Sequence, residues 1–226
     1  MSPLEIVLVS VLGGLVLVAV FYLLVFHTNK NNRLETFKVI NEEAKENAII
    51  FFGDSLTDFY PIQDFFPTYT IYNRGIAGDT TKDLLRRLDN VIAIKPRKVF
   101  VQIGTNDLGK GAKPRQIIAR IKMIYQHLQN EIPGVEIIAI SLYPVSHHKM
   151  WLSPIIAGIR TNRKIRQTNV LLQALCAEMN IPYIDIHAQL VDSHGRIHKD
   201  FTLEGLHISG IGYGVISKIL CDYVKT

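Results

Sequence analysis

Five short apolar runs, rich in β-branched and aromatic residues, alternate along this chain with longer segments whose apolar residues recur at helical spacing. The runs cover 48–52, 70–72, 98–103, 135–142 and 182–186. Each is bounded by turn residues, as strands buried on both faces tend to be. Between them, Leu84, Leu85, Leu88, Val91 and Ile92 form one stripe in a helix over 79–94. Ile117, Ile118, Ile121, Ile124 and Leu128 form a second, and Ile165, Val170, Leu172, Leu175 and Met179 a third. Ser209 is placed to cap a last helix that runs through Ile216, Ile219 and Leu220. Strands that alternate with helices must lie parallel, and both faces of the sheet are then covered. The expected fold is therefore an α/β three-layer sandwich with a five-stranded parallel sheet. Such sheets bind ligands outside the carboxyl ends of their strands, so the segments just after the runs are where chemistry is expected.

Ahead of this domain, residues 6–26 are apolar without a charge, long enough at about 1.5 Å per residue to cross a hydrocarbon core of about 30 Å. No basic residue precedes the run and no small-residue cleavage pattern follows it, so a membrane anchor over 1–27 is expected rather than a signal peptide. All 25 Lys and Arg follow the run, with 19 of the 20 acids, which leaves the remainder at +6. Lys30, Arg33 and Lys38 just after the run incline the domain to the cytoplasmic side of a single-pass arrangement. A polar linker at 28–33 and a short helix over 34–47 are expected next, then one domain over 48–226, large enough for a well-buried core. Cys176 and Cys221 make no disulfide framework, and no Cys/His cluster has metal-ligand spacing, so neither metal nor cofactor is expected.

Four segments at the expected ligand edge carry chemistry. Gly53-Asp54-Ser55-Leu56 follows the first strand, and a serine there becomes a nucleophile if an imidazole takes its proton. Taken alone, Ser55 equally suits a helix cap. Neither the nucleophile elbow with two flanking glycines nor a phosphate-binding loop fits, since Thr57 stands at the second glycine position and no lysine follows. Gly78, between a strand and a helix, offers a backbone N–H at the positive end of a helix dipole. Asn106 in Gly104-Thr105-Asn106-Asp107 offers a side-chain amide, though an Asn in such a turn is ordinarily a turn residue. His207 stands just before the last helix with Glu204 three residues earlier, a compact turn that can orient an imidazole and stabilise its charged form.

Through these four blocks the chain resembles the SGNH/GDSL hydrolase family of esterases, lipases and acetylhydrolases, over roughly residues 48–224. The resemblance implies a flavodoxin-like fold, with Ser55 as nucleophile and His207 as base and then acid. It also implies an oxyanion hole from the Ser55 and Gly78 N–H groups and Asn106. The family's last block usually reads Asp-x-x-His, whereas Glu204 holds the acid position here. Its extra methylene moves the carboxylate by about 1.5 Å, one C–C bond. Asp200 and Asp185 are the substitutes available for it, though neither has the expected spacing.

The expected function is that of a membrane-anchored serine esterase acting on acyl or acetyl esters, lysophospholipids or small O-acyl compounds. The rival is a non-catalytic, membrane-tethered binding protein that retains the fold, a reading suggested only by Glu204. Expected partners are the ester substrate and, through the N-terminal helix, membrane lipid. Basic residues are not interleaved with aromatics, so nucleic acid is not expected. Phe59, Tyr60, Phe65, Phe66 and Tyr69 either line an acyl pocket or pack in the core. Arg160, Arg163, Lys164 and Arg166 read as a solvated helix face in preference to a lipid-binding one.

Overall fold

The computed structural model describes residues 2–225. It divides into two compact units, Met1–Glu43 and Ala44–Thr226. The first is one helix, α1 (Pro3–Glu42), opened by a capping box in which the Ser2 hydroxyl and the Glu5 carboxylate each receive the other residue's N–H.

The anchor expectation is corrected here. Among the described residues no helix is long and apolar enough to cross a membrane. The apolar run does not stand as an element of its own. α1 carries it without a break through Lys30 and Arg33, where a linker was expected, and on past Glu35 and Lys38 to Glu42. Apolar and charged residues thus share one 40-residue helix. The single-pass location, the cytoplasmic orientation and the lipid partner all rested on a separate apolar span, and they fall with it.

The second unit follows the predicted alternation. Its strands are β1 (Ile49–Gly53), β2 (Ile71–Gly75), β3 (Lys98–Gln102), β4 (Glu136–Ile140) and β5 (Tyr183–Ile184). All pairings are parallel, in the order β2-β1-β3-β4-β5. Short helices α2 (Ser55–Asp58) and α3 (Ile62–Phe65) follow β1, and α4 (Thr81–Arg86) and α5 (Asp89–Ile92) follow β2. Then come α6 (Thr105–Gly109) and α7 (Pro114–Glu131) after β3, α8 (Ser153–Ala157) and α9 (Asn162–Glu178) after β4, and α10 (His187–Leu190) and α11 (Gly210–Lys225) after β5.

Strand periodicity sorts the core into two halves. Ile50, Phe52, Val99 and Val101 point to one face and pack with Leu84, Ile121, Ile124, Leu172 and Cys176 from α4, α7 and α9. Ile49, Phe51, Phe100 and Ile138 point to the other and pack with Tyr213, Ile216 and Leu220 of α11. Each such buried aliphatic or aromatic side chain contributes about 1.5–3 kcal/mol relative to exposure, so the two faces together hold the three layers. The helix expected over 79–94 is interrupted at Arg87 and Leu88, leaving two short helices. Arg87, at the break, turns its side chain inward.

Register levels the sheet's carboxyl edge. Gly53 at the end of β1 pairs with Gly75 of β2 and with Gln102 of β3. The chain therefore leaves these three neighbouring strands at one height, and the serine, glycine and asparagine segments start side by side.

Candidate active site

Ser55 is positioned by close packing. A Cβ on Gly53 would lie 2.2 Å from Thr57 Oγ1 and 2.4 Å from the Gln102 carbonyl oxygen, so only glycine fits there. Asp54 then caps α2, its Oδ1 accepting the Leu56 N–H at 2.9 Å. Asn73 Nδ2 donates to the carbonyls of Thr57 at 2.7 Å and Tyr60 at 3.2 Å, which ties the serine turn to β2. Tyr213 of α11 donates its hydroxyl to the Leu56 carbonyl at 2.9 Å. A turn held from both sides gives the Ser55 hydroxyl little freedom.

His207 reaches that hydroxyl from the far end of the sequence. Its Nε2 lies 3.2 Å from Ser55 Oγ, and its Nδ1 hydrogen-bonds Glu204 Oε1. The same carboxylate oxygen accepts the His207 backbone N–H at 3.2 Å. An ionised carboxylate can only accept, so Nδ1 carries the proton and Nε2 presents its lone pair to the serine. Burial alone would raise the pKa of Glu204, but the hydrogen bonds and charge of His207 outweigh it and hold the carboxyl below its ordinary value. The turn depends on Gly205, which has φ +106° and whose Cβ would sit 2.0 Å from the Ser146 carbonyl oxygen. Thr202 closes it, accepting the Gly205 N–H and donating to the His207 carbonyl. The other acids are elsewhere: Asp185 caps Ala188, and the exposed Asp200 faces His198.

Gly78 lies in a turn with φ +80°, two residues before Thr80, the cap of α4, and so is not at the helix start that its sequence context suggested. Its N–H, like that of Ser55 at the start of α2, meets no acceptor among the described residues. Asn106 in α6 adjoins this turn, with Nδ2 donating to the Asp79 carbonyl at 3.0 Å. That bond uses one of the two amide protons and leaves the second.

Of the aromatic residues after the serine, Phe59 packs beside His207, its ring centroid 5.3 Å from that of the imidazole. Tyr60 and Phe66 are buried in the core, with Phe65 and Tyr69 packed against it. Among the described residues no three His, Cys, Asp or Glu side chains gather so as to hold a metal ion.

Three charged residues that the sequence reading did not single out for this site support it from below. Arg87 pairs with Asp79 at 2.6 Å, both buried, and its other nitrogens donate to the carbonyls of Arg74 at 2.8 Å and Gly53 at 2.9 Å. One signal was available: Arg87 stands three residues after Leu84 and four before Val91, on the buried stripe itself. Asp107 accepts from the Thr81 N–H and hydroxyl and from Arg120, joining α6 to α4 and α7. Asp54 has no exposed surface, and burial pushes its carboxyl up to about 7, against the opposing pull of the Leu56 N–H.

A serine, histidine and acid in contact at the carboxyl edge of a parallel α/β sheet define a class, the hydrolases that work by acyl transfer. The chain belongs to the GDSL-like Lipase/Acylhydrolase family, which matches residues 51–215, and it is a carboxylic ester hydrolase of that type. It is similar to platelet-activating factor acetylhydrolase IB subunit alpha1 of Homo sapiens, at 30% identity over 189 residues that span 80% of this chain and 77% of that protein. A solved structure from Streptococcus pneumonia matches with a TM-score of 0.83 at 30% identity, covering 92% of this chain and 99% of that one. A GDSL-like lipase from Bacteroides thetaiotaomicron shares the fold, with a TM-score of 0.74 at 20% identity over 85% and 97% of the two chains.

Proposed function

We propose that this protein hydrolyses short O-acyl esters, acetyl esters foremost, with Ser55 as nucleophile, His207 as general base and acid, and Glu204 as the carboxylate behind it. The observation that carries the reading is His207 standing between Ser55 Oγ and Glu204 Oε1. His207 Nε2 takes the hydroxyl proton as Ser55 Oγ attacks the ester carbonyl. The N–H groups of Ser55 and Gly78 and the free amide proton of Asn106 receive the oxygen that becomes negative. The imidazolium, stabilised by Glu204, then protonates the departing alcohol. Water repeats the sequence on the acyl-serine and releases the acid. The preference for a small acyl group is supported by the similar acetylhydrolase subunit, since that name specifies an acetyl ester.

The test is hydrolysis of p-nitrophenyl esters of increasing acyl length. We expect kcat/KM to be highest for acetate and Ser55→Ala to abolish turnover while the fold persists. Glu204→Gln should lose much of kcat, because an amide cannot stabilise the imidazolium, and Glu204→Asp should keep a substantial part. Near-normal activity in folded Ser55→Ala would overturn the mechanism, and a maximum at long acyl chains would overturn the substrate class.

A further inference from the structure

We propose that Arg160 is the positioning residue that sets which way the Asn106 amide faces, and so makes Asn106 an oxyanion donor. The inference rests on the reaction proposed above and adds a residue to it. The two ends of an asparagine amide are alike in size, and its terminal torsion is broad, so shape alone does not choose between them. The choice matters because a flipped Asn106 would present a carbonyl oxygen to the developing oxyanion and repel it.

Two one-way partners make the choice. Arg160 Nη2 lies 2.9 Å from Asn106 Oδ1, and a guanidinium only donates. The Asp79 carbonyl lies 3.0 Å from Asn106 Nδ2, and a carbonyl only accepts. Flipping the amide would set donor against donor and acceptor against acceptor. The guanidinium is itself fixed from several sides. Nε donates to the Thr105 carbonyl at 2.9 Å, on the residue adjoining Asn106. Nη1 donates to the carbonyls of Ile156 at 3.3 Å and Ala157 at 3.1 Å, which end α8. Gly109 leaves the room, since a Cβ there would lie 2.5 Å from the guanidinium carbon. One planar group thus holds the backbone and the side chain of the same turn against the end of another helix.

The charge adds to the geometry. Burial holds the Arg160 pKa below its ordinary value, with Asp54 pulling the other way, and an arginine so placed stays charged. A cation on Oδ1 draws electron density from the amide and strengthens the N–H at the other end, as charge-assisted hydrogen bonds are stronger than neutral ones. The benefit grows as the oxyanion forms, so it belongs to kcat. Arg160 therefore departs from the solvated basic face expected of it. It lies ahead of α9, half-buried, and turns toward α6.

The test is a double-mutant cycle in the full chain with Arg160→Gln, Asn106→Ala and the pair, followed by acetyl-ester kinetics and by the 15N signals of the Asn106 side-chain amide. We expect Arg160→Gln to lower kcat by about 10- to 100-fold with KM little changed, a transition-state loss. In the Asn106→Ala background the same substitution should cost almost nothing, and the Asn106 amide signals should shift in Arg160→Gln. Arg160→Lys, which keeps a charge without the fork, should fall between wild type and Arg160→Gln, and it stands in if the glutamine variant does not fold. Losses that multiply across the cycle, or unmoved Asn106 signals, would overturn the inference. A wild-type chain whose Ser55 takes up no alkyl fluorophosphonate would instead overturn the reaction on which the catalytic role of Arg160 rests.

Discussion

Asp54 and Ser55 are neighbours with opposite needs. In the proposed reaction the serine must meet solvent-borne substrate, while the acid before it is sealed in the protein, with Oδ2 accepting no hydrogen bond among the described residues. Burial raises its carboxyl from 3.8 to about 7, the Leu56 N–H opposes this, and Asp79 adds to the rise while His207 and Arg160 reduce it. A carboxyl raised on folding stabilises the protein in its protonated form. That stability is complete below the unfolded value near 3.8 and is lost as pH rises through about 7. Asp54→Asn stays neutral at every pH and still offers an oxygen to the Leu56 N–H. Relative to wild type, its melting temperature should therefore gain steadily from about pH 4 to about pH 7 and level off above. An offset that stays constant over that range would show Asp54 ionised throughout.

At the scale of elements, the buried Arg87–Asp79 pair is what joins the serine and glycine segments. One guanidinium bonds the end of β1 at Gly53, the end of β2 at Arg74 and the turn after Gly78. Its ring contact with Phe52, at 4.6 Å, anchors it against the sheet. It also stands at the break in the helix that apolar periodicity predicts over 79–94. A buried pair adds little against an apolar replacement of both partners, but removing one partner strands the other charge. Arg87→Met should therefore cost about 3–5 kcal/mol in denaturant unfolding, with much of it regained when Asp79→Asn is added. Equal losses in the single and double variants would mean that Arg87 acts by packing and not by charge.

At the scale of the molecule, all the residues assigned to the reaction lie within Ala44–Thr226, as do both halves of the core. A unit with its own core is expected to fold alone. Removing residues 1–43 should leave cooperative unfolding and a kcat/KM for soluble esters close to that of the full chain. A truncated chain that folds but does not turn over acetyl esters would show that α1 contributes to catalysis. The charge of the remaining domain bears on its solubility and its encounter with anions, and not on the fold.

Local pattern was enough for much of this. The strand runs, the stripes of α7 and α11 and the Ser209 cap could be read because period and turn chemistry act over a few residues. In α9 Ile165, Leu172 and Leu175 are buried as expected, but Val170 is exposed and Thr168 and Asn169 lie on the buried face instead. Glu204 was also within reach, since it lies one turn before His207 and the contact is formed inside a single loop. Gly53 and Gly205 stand beside the motif residues in sequence, but the need for glycine there, a carbonyl oxygen where a Cβ would go, came from Gln102 and Ser146. Strand order, the levelling of the edge at Gly53, Gly75 and Gln102, and the fate of the charged residues were decided only in three dimensions. Arginine in sequence looks the same whether it faces water or not. Arg160 meets an amide 54 residues away, and a charge is buried only where distant segments bring it partners. The residues proposed for the reaction stand in short motifs, while the buried charges packed around them were set by contacts that no local pattern contains.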